Sequence, residues 1–136
     1  MNLDTFHNLV DDTFNGWSLG EISPPGAPVE TPDLGDDLGS PVSFGFWMLE
    51  AEDSERFTVG TSMHEGAVLV VFLTQNGDTG STQNAAFADL SSRFRAATAG
   101  DVTFDPVDFS DEIDLEQFNG WEQREFRVPY RRQEHY

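Results

Sequence analysis

RFTVGTSMHEGAVLVVFLTQNGDTGSTQNAAFADLSSRFRAA, residues 56–97, contains a strongly apolar segment followed by a polar loop and a helical pattern. Residues 66–73 have no polar side chain, which predicts a strand covered on both faces at the centre of a sheet. The turn residues 76–80 follow, and Ser81 or Thr82 is expected to cap the next helix. The apolar residues of that helix are three and four positions apart and can pack back on the strand: Phe87, Leu90, Phe94 and Ala97. The stretch therefore predicts a strand–loop–helix unit that organises the rest of the chain.

A first helix is predicted near the start of the chain, over residues 4–15, because apolar residues recur there at helical spacing. Asn2 or Asp4 is expected to cap it, and Gly16 to end it. Residues 23–41, SPPGAPVETPDLGDDLGSP, are rich in proline, glycine and acidic residues and predict a long loop. A loop of this length would be explained if a neighbouring subunit ordered it.

Four more strands are predicted around the central one, at residues 42–50, 57–59, 102–104 and 121–130. Turns are predicted at residues 51–55 and 63–66, and an acidic connection at residues 105–119. Pro129 predicts that the last strand ends there or lies at an edge. The fold class is therefore α+β: a single domain over residues 1–136, with a mixed or antiparallel sheet of about four to five strands and two helices mainly on one face.

The charge of the chain points to a high-salt environment. Seven basic and 25 acidic residues give a formal net charge of −18 over 136 residues, and all seven basic residues are arginine. A small soluble domain usually carries a net charge of about 2–8 in magnitude. Because 1 M salt shortens electrostatic screening to about 3 Å, such self-repulsion is tolerable in brine. Acidic, lysine-free chains resemble the proteins of salt-accumulating halophiles, especially haloarchaea and their viruses. The sequence predicts no secretory signal and no membrane span.

The basic residues are unevenly placed. None precedes Arg56, whereas four fall near the end of the chain: Arg124, Arg127, Arg131 and Arg132. This asymmetry is consistent with a subunit that meets its neighbour head to tail, an acidic patch against an arginine patch. It is equally consistent with a basic terminal strand that pairs with the acidic body of its own chain.

The motifs give no case for catalysis. Residues 76–82 lie between a strand and a helix, but a phosphate-binding loop needs a lysine, and Asp78 would repel a phosphate. The three histidines, His7, His64 and His135, are scattered and lack metal-ligand spacing. Asp33, Asp36 and Asp37 cluster without the alternating pattern of a calcium loop. We therefore predict no enzyme, with no catalytic residues, no metal and no cofactor. Four arginines in so acidic a chain also argue against nucleic-acid binding.

Three further segments are informative together: residues 59–95, the DVTFDPV of residues 101–107, and the GWEQREFRVPYRR of residues 120–132. An apolar strand that runs through a Gly-containing loop into a helix, with a closing Gly-Trp and a V-x-[IV]-P-[FY]-R-like strand, resembles the tail terminator (tail completion) proteins of long-tailed double-stranded DNA viruses. The resemblance covers nearly the whole chain. The acidic loop 23–41 and the acidic insert 110–116 depart from it.

This resemblance implies a structural role. Such proteins form a ring, usually a hexamer, at the head-proximal end of the tail tube, where the ring stops tube polymerisation and provides the surface on which the head docks. The implied partners are further copies of the chain, the tail tube protein and a head-completion or neck protein, while DNA passes through the lumen without specific binding. The implied location is the virion, and the host cytoplasm during assembly.

The candidate subunit-interface residues lie on the last strand: Trp121, Arg124, Phe126, Arg127, Tyr130 and Arg131. A tail tube subunit or a head-completion protein is an alternative within the same class. A halophilic cytoplasmic binding module or small enzyme is the alternative from another class.

Overall fold

The computed structural model describes residues 1–32, 42–75, 80–98, 100–112, 115, 118 and 120–135, without the side chains of residues 57, 58 and 109–112. Within these residues the helices are α1 (Leu3–Asp12) and α2 (Ser81–Ala97). The strands are β1 (Ile22–Ser23), β2 (Ser43–Leu49), β3 (Asp53–Thr58), β4 (Thr61–Gln75), β5 (Val102–Phe104), β6 (Asp108–Glu112) and β7 (Trp121–His135). The α+β class is confirmed, although the seven strands of the described sheet exceed the predicted number.

Two long strands form the centre of the sheet. β4 and β7, 15 residues each, pair antiparallel along their whole length, from Thr61 opposite His135 to Gln75 opposite Trp121. The sheet order is β1-β2-β4-β7-β5, with β3 on the outer side of β4 and β6 on the outer side of β7. Only the short β1–β2 pair is parallel among the described pairings. The prediction that residues 66–73 form a central strand is confirmed.

Both helices lie on the same face of the sheet, as predicted. Side chains that alternate along β4 point to opposite faces, so Val68, Val70 and Phe72 meet the helices while Val71 and Leu73 face the other way. The helix-covered cluster includes Phe6 and Val10 of α1 and Ala86, Leu90 and Phe94 of α2. The second cluster joins Phe44, Phe46, Val71, Leu73 and Phe118, with Val29, Leu115 and Trp121 packed against it.

The two helices begin in different ways, one with a side-chain cap and the other at a glycine. The side chain of Asn2 accepts a hydrogen bond from the Thr5 N–H at 2.8 Å, so the predicted cap of α1 is confirmed. The prediction that Ser81 or Thr82 caps α2 was wrong. The capping position is Gly80, whose φ of +87° suits a residue without a Cβ, and no side chain caps the helix.

Three predicted turns and connections need correction. Residues 63–66 are not a turn but part of β4, and the chain reverses at Val59 and Gly60, where Gly60 has a φ of +93°. The predicted acidic turn 51–55 contains the first residues of β3. The predicted connection 105–119 contains β6. Residues 63–66 lie in β4 between β3 and β7, whereas β3 and β6 are outer strands of the described sheet, where solvent reaches exposed carboxylates such as Asp53 and Asp108.

Pro129 was expected to end the last strand or to mark an edge, and this was wrong. It lies within β7, opposite Ala67 of β4. The carbonyl of Pro129 accepts a hydrogen bond from the Asp105 N–H at 2.8 Å. Since the N–H and C=O groups of one strand residue point to the same side, the nitrogen of Pro129 faces away from β4, toward the gap between β5 and β6. The missing donor therefore costs no hydrogen bond to β4.

Candidate functional site

Two of the six predicted interface residues belong to the core of the chain. Phe126 is 0% and Tyr130 is 1% exposed, on the face of β7 that the helices cover. Their side chains are unavailable to a neighbouring molecule in this fold, which corrects the prediction for these two residues. Trp121 is half-buried and packs against the Phe44 ring, with the ring centroids 4.9 Å apart. It stabilises the second hydrophobic cluster and keeps part of its surface in solvent.

The predicted arginines divide between the two faces of β7. Arg124 lies two residues before the buried Phe126 and therefore on the same face of β7. Its side chain is half-buried and lies 4.0 Å from Glu122. Arg127 and Arg131 lie on the opposite face. Arg127 forms an ion pair with Glu50 at 3.0 Å, and 42% of its side chain remains exposed. Arg131 is exposed, and among the described residues it takes part in no ion pair.

These two arginines belong to a part of the sheet that no described helix covers. They line a groove of about 400 Å³ together with four carboxylate residues: Glu50, Asp53, Glu65 and Asp105. Arg127 of β7 is paired with the half-buried Leu69 of β4, and Leu69 is paired in turn with Met48 of β2, which is 39% exposed. We call Met48, Leu69, Arg127 and Arg131 the open face. It combines apolar and cationic side chains within one surface.

A buried polar network lies behind the open face, and sequence reasoning missed it. Arg132, 3% exposed, donates to both carboxylate oxygens of Glu52, from Nε at 2.8 Å and from Nη2 at 2.7 Å. The Tyr130 hydroxyl donates to the same carboxylate at 2.6 Å. Arg132 also donates to the backbone carbonyl of Met1 at 3.1 Å. The network therefore connects the segment between β2 and β3 to β7 and to the start of α1.

The protonation states of this network follow from its contacts. Burial acts to raise the pKa of Glu52, but hydrogen bonds from Arg132 and Tyr130 and the charge of Arg132 outweigh it, so this pKa is lowered overall. Burial and the neighbouring carboxylate raise the pKa of Tyr130. The hydrogen bond to Glu52 raises the pKa of Arg132. At neutral pH, Glu52 is therefore a carboxylate, Tyr130 a neutral phenol and Arg132 a guanidinium. Glu52 and Arg132 form an ion pair with a structural role, to which the Tyr130 hydroxyl adds a hydrogen bond.

His64 extends the network toward solvent. Its Nδ1 lies 2.6 Å from the Ser54 hydroxyl and its Nε2 lies 3.0 Å from Glu134, which also contacts Arg132 at 3.4 Å. A serine–histidine–carboxylate row invites comparison with a nucleophilic site, but such a site also needs donors for a developing oxyanion. The 300 Å³ groove beside Ser54 is lined instead by carboxylates, Asp53, Glu55 and Glu65, which would repel an oxyanion. This arrangement orients side chains and does not favour acyl transfer.

Among the described residues, no group of three or more His, Asp or Glu side chains is placed to hold a metal ion. No helix in the described part of the chain is long and apolar enough to cross a membrane.

Comparison with known proteins identifies a fold and no function. No protein-family model matches the chain, and no curated protein matches it. One solved structure, which carries no functional name, matches 100% of this chain and 98% of its own, with a TM-score of 0.60 and 13% sequence identity. At this identity the likeness shows a shared fold alone.

Proposed function

We propose that this protein is a structural virion subunit that forms a ring at the head-proximal end of a viral tail tube, ends tube polymerisation and joins the tail to the head or neck. The resemblance of residues 59–95, 101–107 and 120–132 to tail terminator proteins motivates the proposal. The observation that carries it is the open face, which places methionine and arginine on a sheet surface that no described helix covers. Methionine and arginine are enriched in protein interfaces relative to the rest of the surface.

A ring needs two different surfaces on each subunit, one for the neighbour on each side. Charge is one source of such asymmetry, because Arg131, which forms no ion pair within the described part of the chain, lies on β7, while the exposed carboxylate of Glu55 lies on β3. In this proposal the acidic remainder of the surface suits a lumen through which DNA slides, because like charge prevents adhesion of the phosphates. The proposed role needs contacts between subunits and a ring geometry, and it needs no reactive side chain.

Oligomeric state in concentrated salt tests the proposal. Native mass measurement and electron microscopy of the purified chain in 2 M KCl should show a closed ring, with a hexamer of the 15.2 kDa chain as the expected size. A stable monomer under these conditions would contradict the ring. Long stacked tubes would contradict a terminator and favour the tube subunit, because a terminator ring has to stop growth on one side.

Charge-reversal variants compare how much each of the two arginines of the open face contributes to ring assembly. We expect Arg131→Glu to weaken ring assembly at least tenfold in dissociation constant, since Arg131 has no ion pair within the described part of its own chain and is available to a neighbour. Arg127→Glu is the matched comparison, because Arg127 already pairs with Glu50 and should matter less. Sedimentation of both variants at 0.5 M KCl measures the difference. An unchanged ring in Arg131→Glu, with folding confirmed by circular dichroism, would remove Arg131 from the interface.

A further inference from the structure

The tip of the β3–β4 hairpin carries an apolar side chain that nothing in the described structure covers. Val59 is 98% exposed, compared with 46% for Leu3 and 39% for Met48, the other exposed large hydrophobic residues among those that the structure describes. It lies in the two-residue reversal between Thr58 and Thr61, beside Gly60. An apolar β-branched residue at a hairpin tip has no local structural role, because turn positions favour small and polar residues. Its position suits an insertion into another surface.

A matching groove lies between α2 and the segment that leaves β5. Its volume is about 590 Å³, and we call it the α2–β5 groove. Most of its lining is apolar, from Phe87, Ala88, Phe94, Phe104, Pro106 and Val107. Two charged residues, Arg95 and Asp105, also line it. Apolar concave surfaces with a charged margin are typical binding sites for an apolar side chain on a polar segment.

The hairpin and the groove lie at opposite edges of the sheet. β3 is the outer neighbour of β4 on one side, and β5 is the outer neighbour of β7 on the other. A contact between these two edges joins different surfaces on the two partners. Such heterologous contacts repeat in one direction and can close into a ring, unlike the self-complementary contact of a two-fold dimer.

We infer that the occupant of the α2–β5 groove is a second copy of this chain, which inserts Val59 at the tip of its β3–β4 hairpin. This inference rests on the proposed ring and specifies its subunit contact. Charge supports the same partner: the hairpin arm carries Glu55 and Arg56, both exposed, and the groove carries Arg95 and Asp105. None of these four residues forms an ion pair within the described part of its own chain. Each charge on the groove therefore has a counterpart of opposite sign on the arm.

Cross-linking between two single-cysteine variants tests the contact directly, because the chain contains no cysteine. Val59→Cys and Ala88→Cys are purified separately, mixed in equal amounts in 2 M KCl, and treated with a short bis-maleimide. We expect a covalent pair that contains one copy of each variant. The control mixes Val59→Cys with Asn8→Cys, since Asn8 is exposed on α1 and does not line the groove. It should give at most a tenth of that product.

The outcomes separate the contact from the ring. A ring without the Val59–Ala88 product, or with equal product for Ala88 and Asn8, would overturn the hairpin contact and leave the proposed function standing. A chain that stays monomeric in molar salt would overturn both.

An independent variant measures the strength of the contact. Val59→Asp should raise the dissociation constant of the subunit contact about ten- to a hundredfold, the range expected when a buried valine is replaced by a solvated group. Val59→Ile should retain the ring, because it keeps the apolar character. Analytical ultracentrifugation compares the two variants. Equal dissociation constants for both would overturn the insertion of Val59.

Discussion

At the scale of single residues, the Glu52–Arg132 pair is the interaction whose loss should cost most. Arg132 is 3% exposed and both of its contacts with Glu52 are shorter than 3 Å, at 2.8 and 2.7 Å. Glu52→Gln removes the closer, bidentate carboxylate from a buried guanidinium and leaves Glu134 at 3.4 Å, so we expect the free energy of unfolding to fall by about 3 kcal/mol. Glu50→Gln is the control, because its partner Arg127 is 42% exposed and such pairs contribute about 0–1 kcal/mol. Urea unfolding of the two variants should differ accordingly, and equal losses would mean that burial does not strengthen the Glu52 pair.

The same carboxylate predicts a pH dependence. Because the pKa of Glu52 is lowered in the folded chain from its ordinary value of 4.5, its contribution to stability is complete above that value and is lost as the pH falls through the folded-state pKa. The difference in unfolding free energy between the native chain and Glu52→Gln should be constant from pH 8 to about pH 5 and shrink at lower pH. Tyr130 and Arg132 stay protonated throughout, since both pKa values are raised. A difference that grows on acidification would contradict this assignment.

At the scale of elements, Gln123 holds the segment that closes the second hydrophobic cluster. Its side chain accepts from the Leu115 N–H at 2.8 Å and donates to the carbonyls of Leu115 and Phe118 at 3.1 and 3.0 Å. Phe118 in turn lies 5.7 Å from Phe44 and 5.9 Å from Phe46, measured between ring centroids. Gln123 thereby attaches this cover to β7.

We expect Gln123→Ala to lower the free energy of unfolding by about 2 kcal/mol, because one buried and two partly buried backbone groups lose their partner. Dye binding should increase as Phe44 and Phe46 become accessible. Gln133→Ala on the same face of β7 is the control, with an expected change within about 0.5 kcal/mol. Dye binding that rises equally in both variants would show that Gln123 is not the attachment.

The sequence predicted those elements whose cause is local. The apolar run of β4 and the Asn2 cap of α1 each depend on neighbouring residues, and both are confirmed. Pro129 and the polar residues of 63–66 were misread because their environment comes from distant strands. A proline is tolerated in β7 since its nitrogen faces a gap between two other strands, which no local pattern reveals.

In the candidate site, too, features with a local cause could be predicted, and features that depend on distant residues could not. Alternation along β7 places Arg127 and Arg131 on the face opposite Phe126 and Tyr130, but the prediction grouped all four as interface residues, because the sequence did not show which face the helices cover. The pairing of Glu52 with Arg132 joins residues 80 positions apart. Among 25 acidic residues nothing in the local sequence marks Glu52 as the partner of a buried arginine. The exposure of Val59 was equally hidden, because the sequence placed it in a strand and the structure places it in a reversal.

At the scale of the whole molecule, charge is unevenly compensated. Four of the seven arginines form ion pairs within the described part of the chain: Arg93, Arg124, Arg127 and Arg132. Most carboxylates are therefore left to repel one another across the surface. Because the folded state concentrates this charge more than the unfolded chain does, repulsion opposes folding at low ionic strength.

We expect the free energy of unfolding to rise steeply between 0.1 M and 2 M KCl, as the screening length falls from about 10 Å to less than 3 Å. Salt also strengthens apolar burial, so a charge-reduced variant is needed to separate the two effects. Asp12→Asn, Glu21→Gln and Glu30→Gln neutralise three exposed carboxylates outside the proposed contacts and change the net charge from −18 to −15. If repulsion limits stability, the triple variant should be more stable in 0.1 M KCl and should gain less from added salt, as measured by urea unfolding at each concentration. Parallel salt curves for the two proteins would assign the salt effect to apolar burial and would remove the physical basis for the high-salt environment.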